Sequence, residues 1–303
     1  MTRLALAGGV AGALILTFAL LLPGTFLTAR NLGNVAGQVS MLAVVAFAMT
    51  AVMAMGDFDL SVGSMASLAG VVAATLMAAG WPVGAAVAAA LLLGVAGGLL
   101  NGLLVTALNI LPFVATLGTL TIFSGAAFLV SDGRTLFGLP PSFADAARGS
   151  VAGVPALALV ALAALALVWF TLEHTSYGRR LYAIGGNREA ARLAGLPVRS
   201  LRASAFAITG VGAALAGLML AARVDSANPT QGSGLMLDAI AAVFLGMTLS
   251  EEGEPRALGT LAGVALLALL DNGLTQLAVD SYLREVLVGA IILAAVGLAR
   301  AGR

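Results

Sequence analysis

The sequence has no cysteine, a single histidine, and charge at only 10% of its 303 positions. All fifteen basic residues are arginine, so lysine is absent as well. Each scarcity excludes a class of chemistry. Without cysteine there is no disulfide, no thiol nucleophile and no zinc-finger spacing. Without lysine there is no Walker A lysine and no Schiff-base amine, so any ATP hydrolysis that drives this protein belongs to another chain. The lone His174 sits where an apolar run meets a basic stretch and has no second histidine to share a metal. It reads as an ordinary interfacial residue. A soluble domain spends about 25% of its positions on charge. A chain that is 10% charged and 60% hydrophobic, with a mean hydropathy of +1.05, is a polytopic membrane protein. The net charge of +1 offers no electrostatic footprint for nucleic acid.

A membrane-crossing helix needs about 20 mostly apolar residues. About ten such runs are present, near 4–22, 35–55, 64–80, 83–108, 113–131, 151–172, 203–222, 236–250, 257–277 and 283–299. The expectation is an all-α, polytopic transmembrane helical bundle forming a single domain over 1–303. The runs at 64–80 and 236–250 are short enough to tilt, half-span or re-enter. The first run follows "MTR" as a signal peptide would, but it exceeds a typical signal core and reads as a retained helix.

The charges are unevenly placed. Six arginines, Arg179, Arg180, Arg188, Arg192, Arg199 and Arg202, fall within "TSYGRRLYAIGGNREAARLAGLPVRSLR" at 175–202. Short arginine-rich loops stay in the cytoplasm, and this one follows the sixth run, which places the N-terminus inside and, with ten spans, the C-terminus too. The turn-rich segments at 132–150 and 223–234 then face outward. Within the basic window a short helix is expected. Asn187 is a good N-cap, Glu189 suits the first turn, Gly195 can end the helix left-handed, and Pro197 stops it. Ala190, Leu193 and Ala194 share one face, with Arg188 and Arg192 opposite. Such a helix either rests on anionic headgroups or fits its small apolar face into a groove of another protein.

In "GDFDLSVGS" (56–64), Asp59 and Ser61 either cap a helix starting near Val62 or line a translocation path at a broken helix. Asn101, Asn109, Thr116, Thr119, Asp271, Asn272 and Gln276 lie inside or at the edges of spans, where polar groups face the bundle interior. They serve either as interhelical glue, worth about 0.6 kcal/mol each, or as part of a path. Gly94/Gly98/Gly102 and Gly259/Gly263 have small-xxx-small spacing and are assigned to packing. Asn101-Gly102 recurs 171 positions later as Asn272-Gly273, an echo that is either chance or the trace of a structural repeat. No catalytic constellation is present.

Taken in series, "GDFDLSVGS", "NGLLVTALNILPFVATLGTL", "TSYGRRLYAIGGNREAARLAGLPV", "LDAIAAVFLG" and "LDNGL" resemble the permease subunits of bacterial ABC sugar importers, the ribose/arabinose/xylose branch, from about residue 35 to 299. The resemblance implies an inner-membrane subunit without a cofactor, paired with a copy of itself or a second permease. A cytoplasmic ATPase docks below it and a periplasmic sugar-binding protein above. It makes 173–202 the cytoplasmic coupling loop, with Asn187, Glu189, Ala190, Leu193, Ala194 and Gly195 forming the coupling helix. It also puts Asp59, Ser61, Asn101, Thr116 and Asn272 on the path of a monosaccharide, a pentose by the likeness of Asp-Phe-Asp to arabinose permeases. "LGMTLSEEGEPRALGT" (245–260) departs from the family's usual glycine-rich stretch. The competing reading is an ion-coupled secondary transporter, for which Asp271 is the best proton or sodium site.

Overall fold

The computed structural model describes residues 3–249, 253–280, 282–283, 285–287, 289–290 and 293. In chain order the helices and short strands are α1 (Arg3–Leu21), α2 (Ala29–Ala54), α3 (Val62–Ala78), α4 (Val83–Thr106), α5 (Pro112–Ser131), β1 (Leu136–Phe137), α6 (Pro141–Arg148), β2 (Ser150–Val151), β3 (Val154–Pro155) and α7 (Ala156–His174). They continue with α8 (Ser176–Gly186), α9 (Arg188–Leu193), α10 (Val198–Val224), β4 (Ser226–Ala227), α11 (Leu235–Leu249) and α12 (Ala257–Gln276). Helices α2, α4, α5, α7, α10 and α12 are long and apolar enough to cross a membrane, and α3 and α11 are shorter apolar helices. Nine of the ten expected spans therefore fall on helices of the polytopic bundle; the tenth, near 283–299, lies mostly outside the described residues.

Helices α2 and α10 form the buried centre. They run antiparallel, with Thr209 and Gly212 of α10 against Ala48 of α2 and Val44 one turn further along. Helix α4 lies on α10 through Gly94, Gly98 and Gly102: a Cβ at Gly98 would strike the Phe206 carbonyl, and one at Gly102 the Ala203 backbone. The small-xxx-small pattern is thus spent on close approach. Helices α4, α5 and α7 turn large apolar side chains outward, among them Leu103, Ile122, Leu129 and Leu167. In water such faces would aggregate, whereas lipid solvates them.

The 171-residue echo belongs to a repeat of whole helices. Helices α2, α3 and α4 begin at 29, 62 and 83, and α10, α11 and α12 at 198, 235 and 257. The contacts are reciprocal as well: α3 and α4 pack on α10, while α11 and α12 pack on α2. Because α2 and α10 are antiparallel, the two units form an inverted repeat.

Each unit contains a break. In the first, α2 ends at Met55 and Gly56 (φ +78°) turns the chain through 57–61 before α3 begins. In the second, Asp225 (φ +54°) ends α10 and the loop dips back into the bundle. Gln231 Nε2 donates to the Gly217 carbonyl (3.2 Å), and the Gly232 amide donates to Ser67 Oγ (2.9 Å). Gly217 lies about two turns, or ~10 Å, below the end of α10, so α11 starts at depth and needs only 15 residues. That accounts for the short run at 236–250. At the same end β1 pairs antiparallel with β4, Leu136 opposite Ala227, and α6 buries Phe143, Ala144 and Ala147.

Candidate functional site

The basic window folds into two helices at one end of the bundle. Thr175 caps α8 by accepting from the Gly178 amide (3.4 Å), and α8 buries Leu181 and Ile184 in a cluster with Val52 and Met55 of α2. Gly178 and Gly185 let α8 lie directly on the Leu172 and Ala54 backbones. Tyr182 OH donates to the Pro255 carbonyl (2.8 Å), bringing the atypical 245–260 stretch to the same end, although its residues 250–252 lie outside the described ones.

Helix α9 begins as expected. Asn187 Oδ1 accepts from the Ala190 amide (2.9 Å), and Gly195 takes φ +81° beyond the end. Glu189 pairs with Arg192 (2.6 Å), and that guanidinium holds the Glu189 carboxyl below its usual range. Only Ala191 is buried; Ala190, Leu193 (74% exposed) and Ala194 form a small apolar face that nothing among the described residues covers. The opposite face is less solvated than the helical projection suggests, because Arg188 reaches back into the bundle.

Its target is Asp57, a carboxylate that is 2% exposed. Arg188 Nη2 donates to Asp57 Oδ1 at 2.8 Å and Arg202 Nε donates to Asp57 Oδ2 at 2.7 Å. Arg202, in the first turns of α10, is itself buried, whereas the Arg188 side chain is 45% exposed. One carboxylate in the α2–α3 break thus joins α9 to α10. Sequence reasoning named Asp59 in this motif and passed over Asp57. A signal was available: a carboxylate in an apolar setting needs a counter-charge, and the arginine-rich window holds six of the chain's fifteen cations.

Two residues on, a second network begins. Ser61 stands at the N-cap of α3 but does not cap it; its amide and hydroxyl both donate to Asp59 Oδ1 (2.9 and 2.6 Å). Asn101 Nδ2 of α4 donates to Ser61 Oγ (2.8 Å), with Asp59 Oδ1 at 3.4 Å, and Thr119 of α5 donates to Asn101 Oδ1 (2.6 Å). Asp59, Ser61, Asn101 and Thr119 are all buried. The structure therefore gathers three of the five expected path residues and adds Thr119. Thr116 lies one turn from Thr119, buried, with its hydroxyl turned back to the Pro112 carbonyl of its own helix (2.8 Å). Asn109 is an exposed turn residue at φ +54°.

Asn272 is not part of this network. It exchanges hydrogen bonds with Asn31 of α2 (2.9 and 3.1 Å) and accepts one from Gln276 (2.9 Å). It lines a cavity of about 790 Å³ bounded by α2, α10, α11 and α12, at the end away from α9. Gln38, Arg223, Asp238, Asp271 and Glu285 also line it, on walls of Val39, Leu42, Leu220 and Leu235. Amides, carboxylates and a guanidinium on apolar walls are the groups that hold a small polyhydroxylated solute.

Residues 31–296 match the family described as branched-chain amino acid transport system / permease component. The chain belongs to this family. The permease is 38% identical over 278 residues to the ribose import permease protein of Bacillus subtilis, covering 91% of this chain and 86% of that one. It is 34% identical to the D-allose transport system permease protein of Escherichia coli (95% of this chain, 88% of that one) and 34% identical to the L-arabinose ABC transporter permease protein of Azospirillum brasilense (93% and 83%). No solved structure matches it significantly. It is a multi-pass inner-membrane permease subunit of the ABC importer type, not an enzyme, and this class works with an ATPase and a periplasmic binding protein.

Proposed function

We propose that this permease forms the translocation path for a monosaccharide, a pentose, and receives ATP-driven force through α9 on its cytoplasmic side. The observation that carries this reading is the pair of polar sites at opposite ends of the inverted repeat. One is the cavity holding Asn272; the other is the Asp59–Ser61–Asn101 network beside the basic end. The cavity faces the periplasm and accepts sugar from the binding protein. The network, with Thr116 behind it, closes the inner end of the path. The arginine-rich end with α8 and α9 is cytoplasmic, as are both termini. Asn187 and Gly195 fix the ends of α9, Glu189 pins Arg192, and Ala190, Leu193 and Ala194 enter a groove on the ATPase. The permease pairs with a copy of itself or with a second permease, and the outward faces of its outer helices meet lipid.

The solute is tested by reconstituting the permease with its ATPase and binding protein in ATP-loaded liposomes. Ribose or arabinose uptake, with leucine ignored, is the expected outcome. Leucine uptake with no response to either pentose would replace the sugar reading with an amino-acid one.

A further inference from the structure

We propose that Asp57 is the positioning residue through which movement of α9 reaches the membrane helices, with Arg202 as the fixed half of its clamp and Arg188 as the releasable half. The proposal rests on the reading of α9 as the ATPase-facing helix. Helix α9 has six residues and buries only Ala191, too little to hold it on the bundle by packing alone. Its polar tether is the ion pair from Arg188, in its first turn, to a carboxylate 131 residues earlier. The carboxylate is held from both sides, one oxygen to each guanidinium, and the partners differ in kind. Arg202 (9% exposed) is enclosed with Asp57, and that pair satisfies the buried charge by itself. Arg188 (45% exposed) lies at the surface and can leave without stranding a carboxylate. Such an asymmetric pair of partners lets one side open while the other preserves the fold.

Where a change at Asp57 would go is also visible. It lies in the break between α2 and α3, two residues before Asp59, which is joined through Ser61 and Asn101 to α4 and through Thr119 to α5. Making or breaking the Arg188 contact therefore changes the hold on the segment that leads to the point at which α3, α4 and α5 are tied together, while Arg202 keeps Asp57 on α10.

The test uses the complete transporter in liposomes with radiolabelled ribose and reads sugar moved per ATP hydrolysed, a ratio independent of protein yield. Arg188→Ala should keep the ATPase in the purified complex and still hydrolyse ATP, while sugar moved per ATP falls about tenfold. Arg188→Lys, which keeps a single charge-assisted contact, should recover most of that loss. An unchanged ratio in Arg188→Ala would overturn the proposal. Loss of the ATPase from that variant would also overturn it, by making Arg188 part of the docking surface, and would leave the docking reading standing. The docking reading fails separately, if enlarging Ala190 leaves both ATPase binding and uptake intact.

Discussion

At the scale of single residues, the permease contains two buried aspartates two positions apart whose charges are handled differently. Asp57 meets two guanidiniums; Asp59 is held by neutral donors, the Ser61 amide and hydroxyl and, more distantly, the Asn101 amide. Removing a buried partner from an ion pair costs about 3–5 kcal/mol. Arg202→Gln should therefore lower the yield of folded protein and its melting temperature in detergent, while Arg188→Gln should shift neither by much. Equal losses from both would contradict the asymmetry between enclosed and exposed partner. Asn101→Leu takes the donor from Ser61 and the acceptor from Thr119, which leaves the Ser61 hydroxyl on Asp59 and the Thr119 hydroxyl on the Thr116 carbonyl but cuts the tie between α3, α4 and α5. It should still insert, and its uptake should fall well beyond the effect of a surface change. Uptake equal to wild type would make Asn101 interhelical glue and remove the centre of the assigned path. What the sequence disclosed at this scale was residue type and depth. It could not disclose the Asp57 pairs, because 131 and 145 residues separate the partners, nor that Ser61 would spend its hydroxyl on Asp59 rather than on the amides of α3.

At the scale of elements, local chemistry was the most legible. The ends of α9 follow from Asn187 and Gly195, whose effects reach only three or four residues along the chain, and the structure places both as read. Helix α8 was not foreseen. Its glycines Gly178 and Gly185 look like helix breakers in sequence, and their value lies in backbone contact with α7 and α2. The apolar face of α9 was legible as a face left free for something outside the chain, but not that Ala191 would be the residue turned to the bundle. If Ala190, Leu193 and Ala194 fit a groove, overpacking at their centre costs about 1–3 kcal/mol or more. Ala190→Trp should then bind loaded binding protein but lose ATPase co-purification and ATP-driven uptake. A helix resting on headgroups would instead gain membrane contact from the added tryptophan and keep transport.

At the scale of the whole molecule, hydropathy revealed the bundle because apolar length is a direct requirement of the bilayer. The inverted repeat was barely legible: an Asn-Gly pair survived in sequence, while the helix order and reciprocal packing that define the repeat exist only in three dimensions. The proposed topology assigns a sidedness. In this cysteine-free chain, Ser142→Cys in α6 should react with an impermeant reagent from the periplasmic side, and Ser200→Cys in α10 only after permeabilisation. Labelling of both from one side would mean that the spans between them are miscounted and would overturn the proposed topology. Energy supply is the property that separates an importer driven by a docked ATPase from a transporter driven through an intramembrane carboxylate such as Asp271. The most direct measurement is ribose uptake by the reconstituted permease, ATPase and binding protein, with and without internal ATP and with proton and sodium ionophores. The account predicts uptake that vanishes without ATP and is indifferent to ionophores. Uptake that persists without ATP and collapses with the ion gradient would contradict it.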